Sequence, residues 1–259
     1  MPVIISDCND LDTNYKLENR TMKLIYKISK FLAFVACLAL TTNSFARATD
    51  SPVGTWEVAV SGGASGIGYL TFSSDNNFEG YGISKTSYGL VEYEGTWVIY
   101  NGKIEGSYTE YLDGDYLSEG TYSGTAKAGT SISLTALVSG KSYKFKGKPT
   151  VSLTDISGSY VGSIKQLGYT GTCDFSVEPS ERLGLFLVNG SVSVPGIISY
   201  TFDGYIILDG KGNIIIYSES KSSSLAPSST WGKIKNGGTT KLKGYQQYNS
   251  SFTLTFSRR

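Results

Sequence analysis

From Thr49 to Arg259 no helical period of useful length runs along this chain. Apolar and polar residues alternate over short stretches instead. Glycine, asparagine, serine or aspartate breaks each stretch after roughly 8–12 residues, the pattern of an all-β sandwich or barrel. Strands are expected at Gly54–Ser61, Gly66–Ser73, Phe78–Ser84, Gly89–Tyr100, Lys103–Tyr111, Glu119–Ala126, Ser131–Val138 and Ser142–Lys148. After Pro149 the pattern restarts, with Gly158–Lys165, Gly171–Glu178, Leu183–Val192, Gly196–Leu208, Asn213–Ser218, Thr230–Ile234, Thr240–Tyr248 and Ser251–Ser257. Residues 219–229, serine-rich with Pro227, read as a loop. So many strands curl, close or split into layers rather than stay flat. The expected fold is an antiparallel up-and-down meander, closed as a β-barrel or divided into two barrel-like or sandwich halves.

Trp97–Tyr108 is the most sharply specified piece. Asn101-Gly102 suits a two-residue type I′ turn, which needs positive φ at both central positions. That turn sets Tyr100 opposite Lys103, Ile99 opposite Ile104, Val98 opposite Glu105, Trp97 opposite Gly106 and Gly95 opposite Tyr108. One face then carries Gly95, Trp97, Ile99, Ile104, Gly106 and Tyr108. Each aromatic on it stands across from a glycine whose backbone it can cover. A slip of one residue would exchange the faces, so the pattern pins the register.

The N-terminal part carries an address. Residues 1–21 are polar and acidic. From Met22, Lys23, Lys27 and Lys30 precede an apolar run, Phe31–Leu40, and then Ala46-Arg47-Ala48. These are the three regions of a secretory signal peptide. The run, about 10 residues, is half of the roughly 20 a spanning helix needs. The expected organisation is an extension and helical signal peptide over 1–48, translation starting at Met22, and β halves over 49–150 and 151–259. Cys37 lies inside the apolar run rather than at its end, which disfavours a lipid anchor. N-terminal sequencing of the exported protein tests the cleavage point.

Composition agrees with export to a bacterial envelope or the exterior. Hydrophobic residues make up 40% of the chain, enough for a packed core. Past the leader Cys173 is the one cysteine, so neither a disulfide framework nor a disulfide-linked partner is expected. The formal net charge of +1 gives no pull toward nucleic acid.

The two halves resemble a duplication. Gly54-Thr55-Trp56 lines up with Gly158-Ser159-Tyr160, Leu70-Thr71-Phe72 with Cys173-Asp174-Phe175, and the turn after Tyr100 with the turn after Leu208. Gly54-x-Trp56 at the first strand also resembles the opening of the lipocalin-like β-barrels, the calycins. That resemblance implies a barrel whose tryptophan packs across the closed end against a basic residue of the last strand, and it implies ligand carriage. The chain departs from the family in lacking its Thr-Asp-x-x-Tyr segment and its late helix. Lys144, Lys146 and Lys148 close the first half without the family's arginine.

Histidine is absent, which excludes histidine-based triads and histidine metal sites. No metal or cofactor is expected. Cys173 shares a face with Phe175 and Val177 and reads as a buried thiol. Paired carboxylates remain a route to glycan hydrolysis, with Glu92, Glu94, Glu105, Asp113, Asp115 and Glu119 as candidates. Aromatic rings stack on sugars or line apolar pockets, and Trp56, Trp97, Tyr108 and Trp231 are the candidate ligand contacts. Lysines alternating at 144–148 and 233–243 read as guards on sheet edges. The leading expectation is a non-catalytic exported protein that binds a small apolar ligand or a glycan, in the periplasm or outside the cell. A carboxylate-dependent glycan hydrolase and an outer-membrane barrel are the alternatives. The alternation of Ser251–Phe256 suits a membrane barrel's last strand, while most strands fall short of the roughly 9–11 residues of a crossing.

Overall fold

The computed structural model describes residues 50–86, 89–150, 152–221, 225–235, 238–246 and 250–259, so the leader expected over residues 22–48 lies outside them. Every regular element in them is a strand. The first eight are β1 (Gly54–Gly62), β2 (Gly66–Phe72), β3 (Asn77–Ser84), β4 (Val91–Tyr100), β5 (Lys103–Leu112), β6 (Asp115–Lys127), β7 (Ser131–Val138) and β8 (Lys141–Pro149). The next eight are β9 (Gly158–Gln166), β10 (Tyr169–Pro179), β11 (Leu185–Val194), β12 (Ile198–Leu208), β13 (Asn213–Ser220), β14 (Ser228–Lys233), β15 (Thr240–Gln246) and β16 (Ser250–Arg258). Each strand pairs antiparallel with the next. β1 closes on β8 and β9 on β16, giving two closed eight-stranded barrels.

The hairpin adopts the expected register at every pair from Gly95 with Tyr108 to Tyr100 with Lys103. Asn101 and Gly102 have φ of 48° and 70°. Asp113-Gly114, Ser139-Gly140 and Leu167-Gly168 turn in the same sense, with positive φ at both positions. The glycine covering differs from expectation. Tyr108 lays its ring on Gly120 and Tyr122 lays its ring on Gly106, so the device joins β5 to β6 rather than β4 to β5. Trp97 leans instead toward the end of β2, where its indole N–H donates to the Ser73 carbonyl at 3.1 Å and its ring meets Phe72 edge-on. Ile99, expected on the buried face, is 44% exposed because β3 pairs with β4 only as far as Thr96 and leaves Ile99 without a neighbour on that side, while Ile104 opposite it is fully buried. Replacing Asn101-Gly102 by two valines should cost about 1–2 kcal/mol per residue forced into left-handed geometry, more for the branched side chain. An unchanged melting temperature would contradict this reading of the turn.

Strand alternation fills each barrel. The first is packed with rings: Trp56, Phe72, Phe78, Trp97, Tyr122 and Phe145 are all buried in one cluster. The second has an aromatic base, where Tyr160, Phe175 and Phe256 meet at 5.2–5.5 Å, and an aliphatic middle. The opening strands match in detail. The Trp56 indole donates to the Pro52 carbonyl and the Tyr160 hydroxyl to the Ile156 carbonyl, each four residues back and each at 2.6 Å.

A third cluster joins the barrels. Ile67, Tyr69 and Ile83 on the outside of β2–β3 meet Ile207, Ile215 and Tyr217 on the outside of β12–β13. Tyr69 donates to the Leu208 carbonyl, and Tyr81 to the Leu183 carbonyl at 2.6 Å. Arg182 pairs with Glu92 and lies 5.4 Å from the Tyr81 ring centre. Glu57 points out of the first barrel, as strand alternation requires, yet it is only 6% exposed. The second barrel covers it, and the Gly210 N–H donates to its carboxylate at 2.7 Å.

Closure also removes the edges that the lysines were expected to guard. β8 is paired on both sides, and so is β15. Lys144, Lys146, Lys241 and Lys243 are exposed on outer barrel faces.

Candidate functional site

The inward positions of three strands in the second barrel change character along their length. β9 runs Ile164 then Gln166, β13 runs Ile214, Ile216, Ser218 and Ser220, and β15 runs Leu242, Gly244 and Gln246. Each strand is therefore apolar at the aromatic base and polar at the opposite end. Their registers bring these polar ends together. Gln166 Nε2 donates to Gln246 Oε1 at 3.1 Å, Gln246 Nε2 reaches the Ala226 carbonyl at 3.3 Å, and the Ser218 and Ser228 hydroxyls meet at 2.8 Å.

Below this polar rim the barrel is not filled. A cavity of about 50 Å³ lies among Cys173, Val192, Tyr200, Ile216 and Leu254, with Leu225 and Ala226 at its side. Burial pushes the Cys173 thiol up to about 12, so at neutral pH its sulfur is an uncharged wall atom rather than a nucleophile. Burial also raises the Tyr200 phenol. The cavity thus offers an apolar floor and neutral hydrogen-bonding groups at its mouth. Among the described residues no group of acidic or sulfur ligands is placed to hold a metal ion.

The residues expected from the sequence lie elsewhere. Trp56 and Trp97 are core residues of the first barrel with both indole N–H groups satisfied by backbone carbonyls. Tyr108 is buried in that barrel as well. Trp231 is half-buried and packs at the junction of the barrels, where Lys85 Nζ stands 5.8 Å from its ring centre. None of the four lines the second-barrel cavity.

The candidate acids are also dispersed. Glu92 is held by Arg182. Glu94 stands on the outer wall directly opposite Glu79. Glu105 faces Val98 and Ser123, and Glu119 faces Thr109. Asp113 sits in a turn and accepts the Leu90 N–H at 3.1 Å; burial raises its pKa from the ordinary value and that hydrogen bond opposes the rise. Asp115 opens β6 and is exposed. None of these acids lines either barrel's interior cavity.

Gln166, Tyr200, Ser218, Ser228 and Gln246 line this cavity and were not singled out from the sequence. Their signal was present as an apolar-to-polar change at every second position of one strand. It becomes one polar rim only when closure brings β9, β13, β14 and β15 around one lumen. Compared with protein-family models and with curated proteins, the chain matches none.

Proposed function

We propose that this is an exported, non-catalytic binding protein whose ligand site is the polar-rimmed half of the second barrel. The observation that carries the reading is the cavity between Cys173, Tyr200, Ile216 and Leu254 beneath the linked amides of Gln166 and Gln246. Its chemistry suits a small molecule with an apolar body and one neutral polar end. The body replaces empty space against Ile216 and Leu254, and the polar end takes over hydrogen bonds at the amide rim. At about 50 Å³ the free space holds only a short group. A longer ligand must displace Leu225 and Ala226, which sit on the segment between β13 and β14.

Further observations support the rest of the reading. The outward positions of β10, β11 and β16 are mostly serine, threonine and aspartate, a surface suited to water rather than lipid. Lys23 through Ala48 has the make-up of an export signal. The calycin resemblance gains a counterpart in the second half. Arg258 of the last strand is the register partner of Tyr160, and its guanidinium lies over Gly158 and donates to the Ser157 carbonyl. The matched aromatic bonds of Trp56 and Tyr160 support descent of the two barrels from one duplicated unit.

The test is a thermal-shift and displacement screen with short aliphatic alcohols, amides and acids, set beside a glycan panel. Ser218→Phe places a ring in the cavity. It is expected to leave the fold intact and to abolish binding of any aliphatic hit. Turnover of a glycan, or ligand binding indifferent to Ser218→Phe, would overturn the proposal.

A further inference from the structure

The end of the first barrel where β5 finishes and β8 begins has a different chemistry. Inward positions on β5 run Ile104, Gly106, Tyr108 and then, by alternation, Glu110. A carboxylate turned into a barrel is costly unless it is paired. Glu110 accepts one hydrogen bond, from Ser118 Oγ at 2.6 Å on the facing strand, and no basic group among the described residues pairs with it.

Rings surround that carboxylate. Tyr93 stands 5.9 Å from Tyr108 at 71° and 6.1 Å from Phe145 at 90°, so these rings form walls meeting at angles rather than a closed stack. Tyr143, half-buried at the rim, is near enough for its phenol to interact electrostatically with those of Tyr93 and Tyr108. Burial raises the Tyr93 and Tyr108 phenols, and the Glu110 charge raises them further, which places the carboxylate beside both.

The wall beside Tyr93 is glycine-rich: Gly80 is its register partner, and Leu70 and Tyr93 lie over that glycine as Val58 lies over Gly68. Gly68 faces Gly82 across the β2–β3 ladder, and Gly80 and Gly66 continue the wall. Deeper in, a void of about 20 Å³ is lined by Leu70, Tyr93, Tyr108 and Phe145, which is room for about one water. Most telling is the Tyr108 hydroxyl, which is buried and has no hydrogen-bond partner. An orphaned buried hydroxyl is destabilising, and a ligand group that meets it removes that penalty.

We propose that this end of the first barrel binds an alkylammonium head group among Tyr93, Tyr108, Tyr143 and Glu110, the half-buried side chains of Tyr93, Glu110 and Tyr143 parting to admit it. Aromatic faces attract a cation through their quadrupoles, and the attraction grows as the cation leaves water. Glu110 supplies the counter-charge. The Tyr108 hydroxyl takes a polar group two carbons away from the cationic nitrogen. A neutral ligand would leave the carboxylate unpaired, and an anion would meet it. This site is separate from the second-barrel cavity, and either reading can fail without the other.

The probe is choline, followed by calorimetry and by chemical-shift changes of tyrosine rings. Its uncharged carbon isostere, 3,3-dimethylbutanol, has the same shape and hydroxyl and lacks only the charge. Saturable choline binding is expected, with the isostere weaker by roughly tenfold or more. Glu110→Gln retains an acceptor for Ser118 and nearly the same volume. It should melt close to the wild type and lose choline binding by a similar factor. Tyr143→Leu, at the rim, should weaken binding less. Vesicles assign the source. Retention on phosphatidylcholine but not phosphatidylglycerol vesicles identifies a lipid head group, and binding of free choline without retention identifies a soluble ligand. No saturable binding, equal binding of the isostere, or unchanged binding in a folded Glu110→Gln protein would overturn the proposal.

Discussion

Trp56→Ala is expected to destabilise the protein by roughly 3–5 kcal/mol, the range for emptying a core aromatic site. That is a large share of a domain's typical stability. The ring is 3% exposed and lies in the cluster with Phe72, Trp97 and Ile132, across strands far apart in sequence. Its backbone partners are Leu70 on β2 and Pro149 on β8, so it stands at the seam where the first barrel closes. Alanine there leaves a cavity at the closure point and frees the Pro52 carbonyl, which now accepts the indole N–H. Neighbouring rings cannot collapse inward cheaply, because Trp97 is tied to Ser73 and Tyr122 to the Thr96 carbonyl. Trp56→Phe retains most of the volume and loses the hydrogen bond, so it should cost clearly less. A thermal melt of both variants checks the order. Trp56→Ala melting with the wild type would show that the seam does not depend on this ring.

The strands were legible because two local signals agree. Side-chain alternation names the inward face, and glycine with asparagine or aspartate marks the turn. At Asn101-Gly102 these signals fix the register to the residue, and the structure repeats it pair for pair. Closure is less local. Lys144 and Lys146 alternate as guards of an edge would, and only the pairing of β8 with β1, far back in the chain, shows that there is no edge. Burial of an outer face is less local still. Glu57 and Tyr69 point out of their barrel, and their burial depends on a second barrel whose strands begin about a hundred residues later. A trace of this remained readable. Ile214-Ile215-Ile216-Tyr217 is apolar at every position, as a strand covered on both faces should be. Tryptophan is a weak guide to an exposed surface. Its size draws it into the core, as at Trp56 and Trp97, whereas Gln166, Ser218 and Glu110 are polar at inward positions near the barrel ends.

Tyr69→Ala should cost as much as the loss at Trp56, again roughly 3–5 kcal/mol, and should change the form of unfolding as well. Tyr69 is 0% exposed, although it points away from its own barrel. Its ring stacks near Tyr81 at 5.7 Å and fills the junction against Ile207 and Tyr217, while its hydroxyl donates to the Leu208 carbonyl. Burial, with the Glu57 charge second, holds the phenol well above its ordinary range, so it remains a donor at any pH the fold withstands. Removing the side chain deletes apolar contact between barrels and leaves a buried carbonyl without its partner, at about 1–3 kcal/mol for that group alone. Each barrel keeps its own closed ladder and its own core. The contacts that make the pair unfold together are the ones lost. Calorimetry is therefore expected to show one transition for the wild type and two for Tyr69→Ala. Tyr69→Phe separates the contributions. It retains the ring and removes only the hydroxyl, so it should lower stability by about 1 kcal/mol net, plus any cost of the stranded carbonyl, and remain a single transition. A single transition for Tyr69→Ala at a lower temperature would mean that the contacts of Tyr81, Arg182 and Glu57 suffice to couple the barrels without this ring.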